Sequence, residues 1–292
     1  MKTKKTLLLM ISILCMPFMH AQNIPNAVDF LPEPPGNSSM QYVNDMIQYY
    51  GGKAERDSEL GQQAAQDMPI QLSTYTKAFS QILGFEISES NTPAIYNLFD
   101  VGLRIGEMAA EIPQNYYQRT RPYSRFDEHT LVPSDENKYA AVGSYPSVPA
   151  MMGWLCALML TEVCPSLQNQ VLVRGYEFGR SSVISGYNWN SDLYAGRLLA
   201  SAILSRLHSQ SSYNAWVADA KSEYERKANN YYLSRADENE LDDTPYIATE
   251  NLPDATRFLP GPPDSTSMQF GYDIIQHMDG KNRRNTSEGA TA

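Results

Sequence analysis

The chain has 292 residues, and its 33 acidic and 23 lysine or arginine residues give it a formal charge of −10 at pH 7. This length is enough for one large domain or two modest ones with a proper hydrophobic core. An acidic chain without a basic cluster is a poor candidate for binding nucleic acid or anionic lipid, so we predict no nucleic-acid partner.

The first 21 residues have the pattern of a secretory signal peptide. Three lysines precede a short apolar run, and the segment ends at Ala21, a small residue of the kind that signal peptidases accept. The run is too short to span a bilayer and no later segment replaces it, so we predict no membrane span. Cleavage would change the formal charge from −10 to −13, because three lysines leave, and would give a periplasmic or secreted protein. A lipid anchor at Cys15 is the weaker alternative, because Leu14 is bulkier than the residue usual at such a site.

The rest of the chain has the pattern of helices joined by loops rich in Pro, Ser and Asn, with little of the strict alternation that strands require. The first clear helix opens with Thr92 as N-cap and Pro93 at its first position. Its apolar face is predicted to comprise Ile95, Leu98, Val101, Ile105, Met108 and Ile112. The sequence therefore predicts an all-α fold, a multi-helix globular bundle.

Three further helices follow. Residues 149–163 are apolar nearly all round, which predicts a central buried helix. A third helix is predicted over residues 192–208 and a more polar fourth from Ser212. Cys156 and Cys164, if helical, lie about 12 Å apart, which is beyond disulfide reach, so both are predicted to be buried thiols.

One internal repeat is present: residues 30–57 recur as residues 258–285, with 14 of 28 positions identical. The spacing is too long for a solenoid. We interpret residues 22–250 as one helical domain and residues 251–292 as a truncated repeat of the N-terminal segment with a polar, partly disordered end. Two explanations stay open. The tail either docks on a neighbouring copy and builds a homo-oligomer, or it is the start of a second, interrupted domain.

Three segments carry a resemblance: QNYYQRTRPY from Gln114, GSYPSVPA from Gly143 and SSVISGYNWNSD from Ser181. In order and spacing they resemble the signature of the bacterial class A non-specific acid phosphatases, K-x6-R-P, P-S-G-H and S-R-x5-H-x3-D. This family belongs to the superfamily of type 2 phosphatidic-acid phosphatases and vanadium haloperoxidases. The short segments LPEPP, RGYEFG and SRLH are also similar to sequences of this family, so the resemblance extends from residue 30 to about residue 230. It implies a helical bundle of the acid phosphatase and haloperoxidase type.

The resemblance also implies a reaction. In the family, a histidine of the third segment attacks phosphorus, the aspartate four residues later orients it, and the histidine of the second segment protonates the leaving alcohol. A lysine, two arginines, a serine hydroxyl and a glycine amide bind the phosphate oxygens, without a metal or other cofactor. This set suits phosphoryl transfer, which needs an in-line nucleophile, an acid opposite it and charge around the equatorial oxygens.

Carried onto this chain, the family's functional positions are only partly kept. Three of the eight match: Arg121, Ser147 and Asp192. The other five are replaced, by Gln114 at the lysine, Val148 at the glycine, Pro149 at the acid histidine, Ser182 at the second arginine and Asn188 at the nucleophile.

These replacements remove chemistry as well as charge. An amide at Asn188 lacks the basic lone pair of imidazole, and Pro149 offers neither a proton nor a backbone N–H. We therefore predict an impaired or inactive phosphomonoesterase homologue, a pseudoenzyme that keeps weak anion binding through Arg121 and Ser147. Two alternatives stay open: an active acid phosphatase that hydrolyses phosphate monoesters, and an interaction or oligomerisation partner of an active paralogue.

Purely structural roles also account for several of these residues. Ser147 is then an N-cap, and Asp192 an acid in the first turn of a helix. If both are helical, Asp192 and Asn188 share a face, and the carboxylate accepts a hydrogen bond from the amide. His129 is the one histidine near enough in sequence to swing into the pocket. Core or pocket-wall positions are predicted for Tyr116 and Tyr117.

Overall fold

The computed structural model describes residues 26–236, and within that range the protein contains helices and no strand. The main helices are α1 (Met40–Ala54), α2 (Glu59–Asp67), α3 (Leu72–Leu83), α4 (Pro93–Tyr117), α5 (Pro122–Phe126), α6 (Glu136–Tyr139), α7 (Val148–Val163), α8 (Gln168–Ser185), α9 (Asn190–His208) and α10 (Ser211–Ala236). The predicted all-α bundle is confirmed. The signal peptide, the tail repeat and both domain boundaries lie outside the described residues and stay predictions.

The four helices predicted from periodicity are α4, α7, α9 and α10, and each begins within two residues of its expected start. Buried side chains of α7 lie on every side of the helix, as its all-round apolar sequence predicted. Within residues 26–236, however, no helix has both the length and the apolar content to cross a bilayer. Cys156 and Cys164 are free and buried, as expected, and burial raises the pKa of the Cys164 thiol to about 12.

Helix α7 is the centre of the bundle, with α4, α8, α9 and α10 packed around it. Its contact with α8 is so close that glycine is required on both sides. A Cβ added at Gly153 would lie 2.6 Å from the Phe178 side chain, and one at Gly175 would lie 2.4 Å from Ala157 Cβ. The starts of α7 and α9 also lie next to one another, because a Cβ added at Gly196 of α9 would stand 2.4 Å from Ser147 O. The second and third sequence segments lie at these helix starts.

The start of α4 corrects one expectation. Thr92 stands at the N-cap position, but its hydroxyl faces the preceding loop, where it accepts a hydrogen bond from Ser88 N at 3.1 Å. The first amides of the helix are instead satisfied by the Glu223 carboxylate of α10, which accepts from Ala94 N at 3.1 Å and Ile95 N at 3.0 Å. A buried anion is favourable there, because the helix dipole is positive at its N-terminus.

Two further expectations, about the end of α4, are also corrected by the structure. The predicted apolar face is buried as far as Ile105, but Met108 is 40% exposed and Ile112 is 50% exposed. The buried face continues instead through Ala109, Ala110, Pro113 and Gln114. Tyr116 is 69% exposed, so its predicted core or pocket-wall position is wrong. Tyr117 does pack inside, with its ring 5.2 Å from that of Tyr145.

Candidate active site

Residues from all three sequence segments line one cavity of about 520 Å³ beside the end of α4 and the start of α7. Five of the eight family positions contribute to its wall: Gln114, Arg121, Val148, Pro149 and Asn188. Ser147 and Asp192 are fully buried next to them, joined by a 3.1 Å hydrogen bond from the Ser147 amide to the Asp192 carbonyl oxygen. Ser182 does not line the cavity; its hydroxyl donates to Gly179 O within α8.

The turn that leads into α7 is closed by a serine N-cap and contains no histidine. Ser147 is the N-cap, as predicted, and its Oγ accepts from Ala150 N at 3.3 Å. Val148 and Pro149 occupy the first two helical positions, where the missing amide of proline leaves no hydrogen bond unmade. Gln114 Nε2 donates to Pro146 O at 3.3 Å, so this side chain ties the end of α4 to the turn.

Arg121 is buried and holds two loops together. Its Nε donates to the carbonyl oxygens of Tyr139 and Val142, its Nη2 to that of Gly143, and its Nη1 to that of Tyr187, at distances of 3.0 to 3.2 Å. No carboxylate of residues 26–236 forms an ion pair with it, and burial lowers the pKa of the guanidinium. Because a guanidinium has five N–H groups, one on each terminal nitrogen is left for a ligand in the cavity.

Asn188 lies in the turn before α9, so the condition that both Asn188 and Asp192 are helical is not met. Its Nδ2 donates mainly to Ser144 O at 2.7 Å and more weakly to the Asp192 carboxylate at 3.4 Å. The predicted contact with Asp192 is therefore present but secondary. Asn188 is 1% exposed, and its Oδ1 has no hydrogen-bond partner within the described part of the chain.

The Asp192 carboxylate belongs to a buried network that the sequence argument missed. One oxygen accepts from Trp189 N at 2.8 Å, and the other from Arg119 Nη1 at 2.5 Å. Arg119 also donates to the fully buried Asp45 of α1 at 2.7 Å, and Asp45 in turn accepts from the amide and hydroxyl of Ser191. Burial lowers the pKa of Arg119, but the two carboxylates more than offset this and raise it.

Comparison with known proteins places this arrangement in a family. Residues 99–216 match the model of the PAP2 superfamily. A non-specific acid phosphatase of Providencia stuartii is 36% identical over 200 residues, which are 68% of this chain and 81% of that protein. The chain belongs to the class A acid phosphatases of the PAP2 superfamily. The non-specific acid phosphatase of Salmonella typhimurium is 34% identical over 226 residues, 77% of this chain and 90% of that protein.

A more distant relative is similar over much of the same length: an acid phosphatase of Zymomonas mobilis is 27% identical over 197 residues, 68% of this chain and 75% of that protein. The resemblance drawn from the three segments is therefore confirmed. Membership of the class A acid phosphatases supports a phosphatase-type function.

Within this acid phosphatase framework, the cavity contains no imidazole among the described residues. The His129 side chain is 84% exposed and lies 3.2 Å from the Glu136 carboxylate, away from the cavity wall. Four charged residues line the cavity, two basic and two acidic: Arg121, Lys138, Glu107 and Glu111. The wall is thus close to electrically neutral, which is unfavourable for a doubly charged phosphate ester.

No metal site is evident in the described part of the chain. Residues 26–236 contain no group of three or more His, Cys, Asp or Glu side chains that could hold an ion.

Proposed function

We propose that this chain is an exported acid phosphatase homologue whose hydrolysis of phosphate monoesters is strongly impaired and which retains weak phosphate binding. The observation that supports it most is the pairing of Asn188 and Pro149 on the wall of one cavity, at the two positions where the family has its histidines. Export is proposed from the signal-peptide pattern of residues 1–21.

The impairment follows from what these two groups can do. A nucleophile that forms a phospho-enzyme needs a basic lone pair, and the amide of Asn188 has none of comparable strength. Its nitrogen also donates to Ser144 O, which fixes the amide in an inert role. Pro149 has no transferable proton, so the leaving alcohol has to depart as a poorly stabilised alkoxide.

Weak phosphate binding is proposed because part of the anion site persists. Arg121 has two N–H groups beyond those that bind carbonyl oxygens, and Lys138 adds a second positive charge to the wall. Glu107 and Glu111 oppose both charges across the same cavity. Charge-assisted bonds to phosphate remain available, but the surrounding field no longer favours them.

The direct test is turnover by the pure protein at mildly acidic pH, with p-nitrophenyl phosphate as substrate and rapid quenching in a neutral denaturant to look for a covalent phosphate, because phosphohistidine is labile in acid. We expect turnover indistinguishable from that of the Asn188→Ala variant, and no phosphorylated side chain. Turnover in the wild type that Asn188→Ala abolishes, or any trapped phosphoprotein, would show that the chain is an active acid phosphatase and would refute the proposal.

Phosphate affinity provides a second prediction. Replacing Glu111 by Gln removes a negative charge from the cavity wall, so inorganic phosphate should bind about 2- to 5-fold more tightly, as measured by calorimetry at low salt. Glu89→Gln is the matched control, because Glu89 is exposed in the loop at the opposite end of α4 and should leave the affinity unchanged. Equal affinities for both variants and the wild type would place the bound phosphate outside this cavity.

A further inference from the structure

Residues 30–57 act as a docking segment for the rest of the domain. Asp45 of α1 binds Arg119 and Ser191, and Arg56 donates to Ile184 O at 2.9 Å. Lys53 pairs with Glu128 at 2.7 Å. Gly52 lies so close to α8 that an added Cβ would stand 3.1 Å from Ile184 Cα. We call the surface that this segment covers, formed by Arg119, Phe126, Glu128, Ile184, Trp189 and Ser191, the α1 groove.

The tail repeat retains the residues that make these contacts. With an offset of 228 positions, four contact residues of the segment, Asp45, Gly52, Lys53 and Arg56, recur unchanged as Asp273, Gly280, Lys281 and Arg284. Ser39, the N-cap of α1, recurs as Ser267, and buried Tyr42 recurs as Phe270. A buried aspartate, a glycine at a close approach and an arginine that reaches a backbone carbonyl are needed only where a segment docks.

We infer that residues 258–285 are a second ligand for the α1 groove and can replace residues 30–57 of the same chain there. The 21 residues between Ala236 and Phe258 can span up to about 70 Å, whereas a domain of this size is about 40 Å across. A tether of this length gives the tail an effective concentration near the millimolar range at its own groove. The groove of the same molecule is therefore the tail's most accessible target.

One residue of residues 30–57 favours this segment over the tail as the occupant of the α1 groove. The ring of Tyr49 is fully buried, stacks on Phe126 at 4.8 Å, and its hydroxyl donates to Glu128 at 2.6 Å. The corresponding tail residue is His277. A histidine has a smaller apolar surface than a tyrosine, so the tail is the weaker competitor.

The identity of the occupant affects the candidate site. Asp45 orders Arg119, which in turn binds the Asp192 carboxylate next to Asn188. A tail that brings Asp273 to the same place keeps this support intact when α1 leaves. This inference does not depend on whether the cavity hydrolyses phosphate esters.

The test changes the tail while every arm carries the same Glu128→Cys substitution in the groove. The chain from Gln22 to Ala292, which lacks Cys15, is given Lys281→Cys and Glu128→Cys, and a bifunctional maleimide should link the two new cysteines when the tail is docked. Cys156 and Cys164 are buried and do not compete. Adding His277→Tyr supplies the aromatic ring that position 49 has in α1, so the yield of the intrachain link should rise about 2- to 10-fold. Lys53→Cys with Glu128→Cys is the positive control for an occupied groove.

Asp273→Ala distinguishes docking from random collision of a tethered tail. In the His277→Tyr background it should return the yield to the baseline, because the buried partner of Arg119 and Ser191 is lost. A yield that responds to neither substitution would overturn the inference. So would a linked species of twice the chain mass, because the occupant would then be the tail of a second copy.

Discussion

The triple variant Asn188→His, Pro149→His, Val148→Gly should hydrolyse p-nitrophenyl phosphate about 100-fold faster than the wild type or better. This expectation rests on the proposed function, in which Asn188 and Pro149 stand at the positions of the family's two histidines on one cavity wall. An imidazole at position 188 can donate from one ring nitrogen to Ser144 O or to Asp192, where the amide now donates, and keep the other nitrogen for phosphorus. Full family activity is not expected, because Gln114 and Ser182 still replace two positive charges.

The single substitutions separate the two chemical roles. Asn188→His alone should form a trappable phospho-enzyme with p-nitrophenyl phosphate, since p-nitrophenolate leaves without a proton. It should turn over alkyl phosphates much more slowly, because their leaving alkoxides need the acid at position 149. Pro149→His alone should form no covalent phosphate. If the triple variant stays at the wild-type rate while remaining folded and phosphate-binding, the cavity is not the ancestral active site.

The helices were predictable because their signals are local. Apolar periodicity and the caps at Pro93 and Ser147 lie within a few residues of the elements they define, and α4, α7, α9 and α10 followed from them. The predictions that failed concern α4, where contacts with residues distant in sequence determine the capping and the burial of side chains. The first amides of α4 are bound by Glu223, more than 100 positions from Thr92. Met108, predicted to be in the core, lines the cavity instead.

The order and spacing of the three segments predicted that their residues lie together, and Gln114, Arg121, Pro149 and Asn188 do line one cavity. Their roles at a phosphate site stay predictions. The hydrogen bonds of Arg121 to carbonyl oxygens from two loops could not be predicted from a local pattern. Every residue has a backbone carbonyl group, so the sequence does not show which of them the guanidinium binds. A signal for Asp45 did exist: it is one of the identical positions of the repeat.

Removing the Arg119 guanidinium should have the largest effect on stability of any single substitution considered for this chain. Arg119→Met keeps the apolar stem but leaves the carboxylates of Asp45 and Asp192, both fully buried, without their shared cation. Breaking a buried ion pair from one side typically costs about 3–5 kcal/mol. We expect a loss of that size in the free energy of unfolding, measured by urea denaturation.

Two matched variants show whether the loss comes from uncompensated charge. Arg104→Met removes an exposed i,i+4 pair with Asp100 on α4 and should change stability by less than about 1 kcal/mol. Combining Arg119→Met with Asp45→Asn should recover part of the lost free energy of unfolding, because one of the two unpaired buried carboxylates is replaced by a neutral amide. A double variant that is no more stable than Arg119→Met would mean that packing, not charge, dominates. Arg119 should also matter for catalytic rescue. In the variant with Asn188→His, Pro149→His and Val148→Gly, adding Arg119→Met should lower turnover more than phosphate affinity, because Arg119 acts on the new ring at position 188 only through Asp192.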